Sequence, residues 1–128
     1  VKTTFQDKNH GISIGMNCKQ AADLNYLDKN IKGAWVFVHV KDLPSLSADF
    51  YVLTRRQRID LIYGLHHWYL YGWERRTYTE SLGESVACIR IEHILGKQDK
   101  SRFSDTHFDN PMTGVSTLNN WNNIWVKD

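Results

Sequence analysis

The segment Ala34–Val40 limits the possible folds of this chain more than any other. Its sequence, Ala-Trp-Val-Phe-Val-His-Val, is almost continuously apolar and rich in β-branched and aromatic residues. Such a run predicts a strand that is covered on both faces, because both rows of its side chains need burial. We therefore predict an α/β (α+β) fold in which helices flank a mixed central β-sheet.

A second strand is predicted over Ile12–Lys19, where apolar and polar residues alternate. The period of two places alternate apolar residues from Ile12 to Cys18 on one face, so Asn17 and Lys19 would share the other face. The residues before it, Val1–Gln6, also read as a strand and lead into the turn-forming sequence Asp-Lys-Asn-His-Gly. We predict that these two strands form a hairpin.

The best helix signal begins at Thr54. The sequence Thr-Arg-Arg-Gln is a capping box, in which the Thr hydroxyl and the Gln amide bond the otherwise unpaired N–H groups of a helix start. Apolar residues then recur at helical spacing until Gly72, which is a natural stop. Further elements with clear signals are short strands at Phe50–Leu53 and Val86–Ile91, and a terminal amphipathic helix that docks through Leu118, Trp121, Ile124 and Trp125.

Length and composition are those of an ordinary globular domain. The 128 residues fit a single domain, and the net charge of +2 permits a nucleic-acid partner without requiring one. The two cysteines, Cys18 and Cys88, are expected to be buried free thiols. The sequence has no apolar run of about 18 residues and no leader-like start, so we expect a cytoplasmic protein without a membrane partner.

Several segments follow one another in the order found in a known family. They are Ile12–Lys19, Ala34–Val40, Asp49–Thr54 running into a helix, His67-Trp68-Tyr69-Leu70 at the end of that helix, and Asn119-Asn120-Trp121 in the tail. This series resembles a bacterial branch of the restriction-endonuclease-like, or PD-(D/E)XK, nuclease superfamily, over roughly residues 12–70 and the tail. The chain begins within strand-like sequence, so the resemblance implies a single domain, 1–128, that lacks the family's first helix and strand.

The resemblance also implies a site. Enzymes of this superfamily hold Mg²⁺ with two carboxylates, and a Lys two residues after the second carboxylate stabilises the developing charge on the phosphate. The matching residues here are Asp7 and Asn17 as metal contacts and Lys19 as the electrostatic aid, with Asn17 standing where the family has an acid. Two outcomes follow from the resemblance: Mg²⁺-dependent hydrolysis of DNA, or a catalytically inactive module that binds DNA or another protein.

Basic and aromatic residues around the main helix are further candidates for DNA contacts. Cations oppose the helix dipole at an N-terminus, and such placement can reflect phosphate binding or a solvated basic face. The basic residues are Arg55, Arg56 and Arg58 at the start of the helix, and Arg75 and Arg76 after its end. The aromatic run of Trp68, Tyr69, Tyr71 and Trp73 can stack on bases, or can form core or a homodimer contact.

Overall fold

A computed structural model describes residues 2–5, 12–42, 47–72, 77–97 and 108–127, in which strands and helices are interspersed. The strands are β1 (Lys2–Phe5), β2 (Ile12–Asn17), β3 (Trp35–Asp42), β4 (Ser47–Leu53) and β5 (Val86–Ile89). The helices are α1 (Cys18–Ala21), α2 (Leu24–Asn30), α3 (Arg55–His67), α4 (Glu80–Glu84) and α5 (Ile91–Ile94). A short π-helix, Trp68–Gly72, which we call the π-turn, continues α3. A 3₁₀ helix spans Trp121–Trp125. The α+β class is confirmed.

The described strands form two small sheets rather than the one central sheet that the sequence predicts. In the first, β3 lies between β1, which runs parallel to it, and β4, which runs antiparallel. The second sheet is the antiparallel pair β2 and β5. The register of β2 shifts between Ser13 and Asn17, around Gly15 at a φ of 78°. A bulge of this kind bends and twists its strand, which opposes continued pairing in a flat central sheet.

The predicted hairpin between the first two strands is wrong. β1 pairs with β3, with Lys2 opposite Phe37 and Phe5 opposite Val40, whereas β2 pairs with β5. The physical reason is the central position of β3, whose two backbone edges both need hydrogen-bond partners once its side chains are buried. β1 satisfies one of these edges and β4 satisfies the other.

The predicted side-chain pattern of β2 agrees with the observed burial, whereas β3 is fully buried on one face only, because Val36, Val38 and Val40 are half-buried. Trp35 and Phe37 of β3 are buried, and their rings meet edge to face at a centroid distance of 6.0 Å. In β2 the side chain of Ile14 is buried, while Ser13 and Gly15 are exposed. The two sheets therefore contribute to one apolar core, which also includes residues of α2 and α3.

Helix α3 begins as its sequence predicts. The Thr54 hydroxyl accepts a hydrogen bond from the Gln57 N–H at 3.1 Å, and the Gln57 side chain accepts one from the Thr54 N–H at 2.9 Å. Ile59 and Ile62 are buried, and the π-turn carries the helix on to Gly72. Neither α3, with its 13 residues, nor another helix in the described ranges is long and apolar enough to span a membrane.

The C-terminal segment lies along the outer edge of β4. Val52 donates its N–H to Thr117 O at 2.9 Å, and the buried Asn123 amide donates to Val52 O at 2.8 Å. The segment packs on the body as predicted, but it forms a 3₁₀ helix and its contact with β4 includes the buried Asn123, whereas the four apolar residues predicted to dock are exposed. Trp121 and Ile124 are exposed, and Trp125 is 81% exposed.

Candidate functional site

Asn17, Cys18 and Lys19 lie at the junction between a strand and a helix. β2 ends at Asn17, which is the N-cap of α1, and Lys19 lies in the first turn of that helix. The Asn17 side-chain oxygen accepts the Gln20 N–H at 2.8 Å, and the Gln20 side chain accepts the Asn17 N–H at 3.0 Å. The prediction that Asn17 and Lys19 share a strand face is therefore wrong, because a capping box ends the strand before Lys19.

Lys19 projects from α1 towards α4. Its ammonium nitrogen lies 3.8 Å from a carboxylate oxygen of Glu80, and both side chains are mostly exposed, at 61% and 71%. An exposed pair of this kind contributes at most about 1 kcal/mol to stability. Lys19 can therefore exchange Glu80 for another anion at little cost.

Lys19 also lines a cavity that we call the α1–α3 groove. The groove has a volume of about 400 Å³, and its polar and aromatic lining is formed by Lys19, Asp23, Asn25, Tyr63, His67 and Tyr71. The first three of these residues come from α1 and the start of α2, and the last three come from α3 and the π-turn. Two parts of the sequence that are separated by about forty positions are thus brought to opposite walls of one concave surface.

One wall of the groove carries a series of aromatic rings that contact one another. The Tyr63 and His67 ring centroids lie 5.3 Å apart, and those of His67 and Tyr71 lie 5.1 Å apart. Tyr71 in turn stacks on Tyr78 at 5.5 Å with an interplanar angle of 22°. Residues four positions apart on a helix share a face, which explains why the first three rings align. We call Tyr63, His67, Tyr71 and Tyr78 the ring ladder.

The ring ladder includes only part of the aromatic run that the sequence singles out. Tyr71 lines the groove and is 51% exposed, whereas Trp68 packs on Phe108 at a centroid distance of 6.1 Å. Tyr69 lies on the other side of the π-turn, and Trp73 lies outside the described residues. Tyr63 and His67 are the residues that sequence reasoning missed, although their spacing of four before Tyr71 is a usable signal.

Arg55 forms hydrogen bonds within the protein. Its guanidinium donates to Ile31 O at 2.8 Å, to Asp28 O at 2.7 Å and to the Asp28 carboxylate at 3.0 Å. The Arg55 hydrogen bond and charge hold the pKa of Asp28 below its usual value. Arg55 thus links the C-terminal end of α2 to the start of α3. These contacts hold its side chain in place without a bound phosphate.

Arg58 and Arg56 also have protein partners. The Arg58 guanidinium lies 5.3 Å from the centroid of the Trp35 ring and donates to Lys32 O at 3.4 Å, and its burial lowers the pKa of the side chain. The Arg56 nitrogen Nη1 lies 3.9 Å from the Asp60 oxygen Oδ1, one turn further along α3. Arg55 and Arg58 therefore join α2, β3 and α3, while Arg56 pairs within α3. Arg75 and Arg76 lie outside the described residues.

The described residues do not fit the Mg²⁺ site that the family resemblance implies. The side-chain oxygen of Asn17 already accepts a hydrogen bond, and Lys19 is paired with the Glu80 carboxylate. Within the described ranges, no three His, Cys, Asp or Glu side chains are grouped so that they could hold a metal ion. Asp7 lies outside those ranges.

A second cavity, of about 360 Å³, lies between α3 and the β2–β5 sheet. Cys18, Cys88, His66, His93 and Arg90 are among the residues that line it. Both cysteines are free, as predicted, with Cys18 buried and Cys88 only partly buried. The two sulfurs lie 3.8 and 3.9 Å from the same oxygen, Val86 O, so they are at most 7.7 Å apart.

The electrostatics of this second cavity oppose nucleophilic chemistry. Burial raises the pKa of the Cys88 thiol, which keeps it protonated and poorly nucleophilic. Burial also lowers the pKa of His66, whose ring nitrogen Nδ1 lies 2.7 Å from Ile62 O. This bond holds the His66 ring against α3, so we interpret His66 as a buried residue that stabilises the core. The α1–α3 groove, with its exposed Lys19 and rings, is therefore the better candidate for a functional site.

Comparisons with protein-family models, with curated proteins and with solved structures give no match to the chain.

Proposed function

We propose that the chain is a nucleic-acid-binding domain of the restriction-endonuclease-like type, and that the α1–α3 groove is its contact surface. The observation that carries the proposal is the presence of Lys19 and the ring ladder on the same 400 Å³ cavity. A cation that can reach a phosphate and rings that can stack on a base are the two chemical groups that nucleic-acid recognition needs. The order of segments from Ile12 to Trp121 supports the same proposal.

Lys19 has the role of a phosphate contact in this proposal. Its ammonium group is exposed, and its pairing with Glu80 at 3.8 Å is weak enough to be exchanged for a phosphate oxygen. Each Lys or Arg that neutralises a phosphate releases condensed counterions, so binding through Lys19 depends on salt. The proposal concerns the binding of nucleic acid. Hydrolysis of DNA with Mg²⁺ is a separate activity that a nicking assay tests.

The test is a binding titration with fluorescently labelled DNA, followed by anisotropy between about 50 and 200 mM salt. We expect wild-type protein to bind, and we expect Lys19→Ala to weaken binding and to reduce the salt slope by roughly one. Lys127→Ala is the matched control, because this exposed Lys follows the 3₁₀ helix that packs on β4. Equal binding by wild type and Lys19→Ala would refute the assignment of the groove.

The same preparations are incubated with plasmid DNA and Mg²⁺ to test for nicking. Cleavage that disappears in Lys19→Ala would extend the proposal to a nuclease. Cleavage that persists in Lys19→Ala would place catalysis elsewhere.

A second candidate function is a protein-interaction module, and the exposed apolar residues on the outer side of β4 favour it. Phe50 and Trp121 lie 5.7 Å apart between ring centroids, and Ile124 and Trp125, in the same 3₁₀ helix as Trp121, are also exposed. A homodimer is the simplest complex that this surface could form. Sedimentation at high micromolar concentration tests it, since a purely monomeric chain would exclude the homodimer.

A further inference from the structure

We infer that the α1–α3 groove receives a single unpaired nucleotide, so that the domain prefers single-stranded nucleic acid to duplex. This inference rests on the proposed function and names the substrate class for the same groove. It follows from the size of the groove, from the arrangement of the ring ladder, and from the polar groups opposite the rings.

The size of the groove suits one nucleotide. Its volume of about 400 Å³ lies at the lower end of the range of pockets that bury small ligands. A duplex is read differently, by a helix or a pair of strands that enters its major groove. The α1–α3 groove is an open depression, with α1 and α2 on one side and α3 on the other, so it suits a base that is already free of a duplex.

The ring ladder supplies surfaces on which an inserted base can stack. The rings of His67 and Tyr71 are inclined to each other by 53° with centroids 5.1 Å apart, so a base would stack on the exposed parts of these rings rather than enter between them. Tyr71 is 51% exposed, and its far face is supported by Tyr78 at 5.5 Å. A ring that is braced from behind loses little conformational entropy when a base stacks on it. Stacking of this kind tolerates any base, because every base has a π-face.

The opposite wall of the groove supplies polar groups that can contact a phosphate and a base edge. Lys19 offers its ammonium group to a phosphate, and Asn25 offers an amide that can both donate to and accept from a base edge. The Asp23 oxygen Oδ1 accepts the Asn25 N–H at 3.0 Å and the Tyr26 N–H at 3.3 Å, so Asp23 caps α2 and fixes the start of this helix at the groove. The groove thus combines a phosphate contact, a base-edge contact and a stacking surface for one nucleotide.

The test compares the dissociation constants for a labelled oligothymidine and for a labelled duplex of equal length, using the full chain. We expect tighter binding of the single strand, and we expect Tyr71→Ala to weaken single-strand binding by about tenfold. Tyr71→Phe retains the ring and should bind as wild type does. Trp125→Ala is the matched control, because it removes a ring that is 81% exposed and lies outside the groove.

Because Tyr71 also packs on Tyr78, His67→Ala is measured as a second variant, and thermal unfolding checks that each variant is folded. Duplex binding that depends on Lys19 but not on Tyr71 or His67 would overturn this inference and leave the proposed function standing. Absence of binding to either probe would overturn both. Single-strand binding that is lost in both ring variants and retained in Trp125→Ala would support the inference.

Discussion

The reciprocal hydrogen bonds at the end of β2 make Asn17 a structural cap, and this assignment can be tested by substitution. Asn17→Ala removes the oxygen that accepts the Gln20 N–H at 2.8 Å in a partly buried position. Loss of an N-cap side chain costs about 1 kcal/mol. For a domain of this size, that loss corresponds to a decrease in Tm of roughly 3–5 °C.

Asn17→Asp is the matched variant, because a carboxylate oxygen can accept the same N–H and also favours a helix N-terminus. We expect its free energy of unfolding to lie within about 0.5 kcal/mol of wild type. Gln20→Ala removes the other half of the capping box, the bond from the Asn17 N–H at 3.0 Å. The two losses should be less than additive in the double variant, since both residues belong to one reciprocal unit.

Urea unfolding followed by circular dichroism gives the required free energies. The cap assignment would be refuted if Asn17→Ala unfolded at the same urea concentration as wild type. It would also be refuted if Asn17→Asp lost as much stability as Asn17→Ala. In either case Asn17 would be a polar side chain on a strand face, as its alternation with the apolar residues of β2 first suggests.

Three further predictions concern the body of the fold. Gly96→Ala should cost about 2 kcal/mol or more, because Gly96 has a φ of 83° and an added Cβ would lie 2.7 Å from Met112 O; Gly114→Ala, with a φ of 74° and no atom within 4 Å, should cost less in the same thermal melt, and equal losses would contradict the clash. The lowered pKa of His66 means that the unfolded chain binds the proton more readily, so stability is complete above the usual pKa of 6.5 and decreases as the pH falls below it. Urea midpoints between pH 7.5 and 5 should show this decrease, and His66→Gln should reduce it; an unchanged profile would count against a buried neutral ring. The raised pKa of the Cys88 thiol predicts that it reacts with a disulfide reagent at pH 8 more slowly than free cysteine does, and reaction at the rate of free cysteine would refute this.

Local signals in the sequence predict the elements of this fold well. The capping box at Thr54 and the apolar run around Phe37 each specify one element through residues that are adjacent in the chain. The alternation in β2 likewise predicts which side of the strand is buried. In these segments the hydrogen-bond partners or the strand conformation are implied by the segment itself, although the apolar run overstates the burial of the second face of β3.

Pairing and site geometry are less accessible from the sequence. The partner of β1 is β3, a distant segment of the chain, whereas the local turn signal after β1 favoured the strand next in sequence. At Asn17 two local patterns compete, since the strand alternation continues to Lys19 while Asn17 and Gln20 form a cap. The α1–α3 groove joins Lys19 to Tyr71 across distant segments, so only the tertiary structure brings them together.

The π-turn at Trp68–Gly72 has a consequence for how the ring ladder can change. In an α-helix, each step of four residues overshoots a full turn by about 40°, so a third ring would drift away from the first two. A π-turn has more residues in each turn, which returns part of this rotation and keeps Tyr71 beside His67. Deletion of one residue between His67 and Tyr71 would regularise the helix and rotate Tyr71 relative to His67 by a few tens of degrees, even though every ring was retained. The number of residues in the π-turn therefore helps to determine the shape of the groove, in addition to the identity of the side chains that line it.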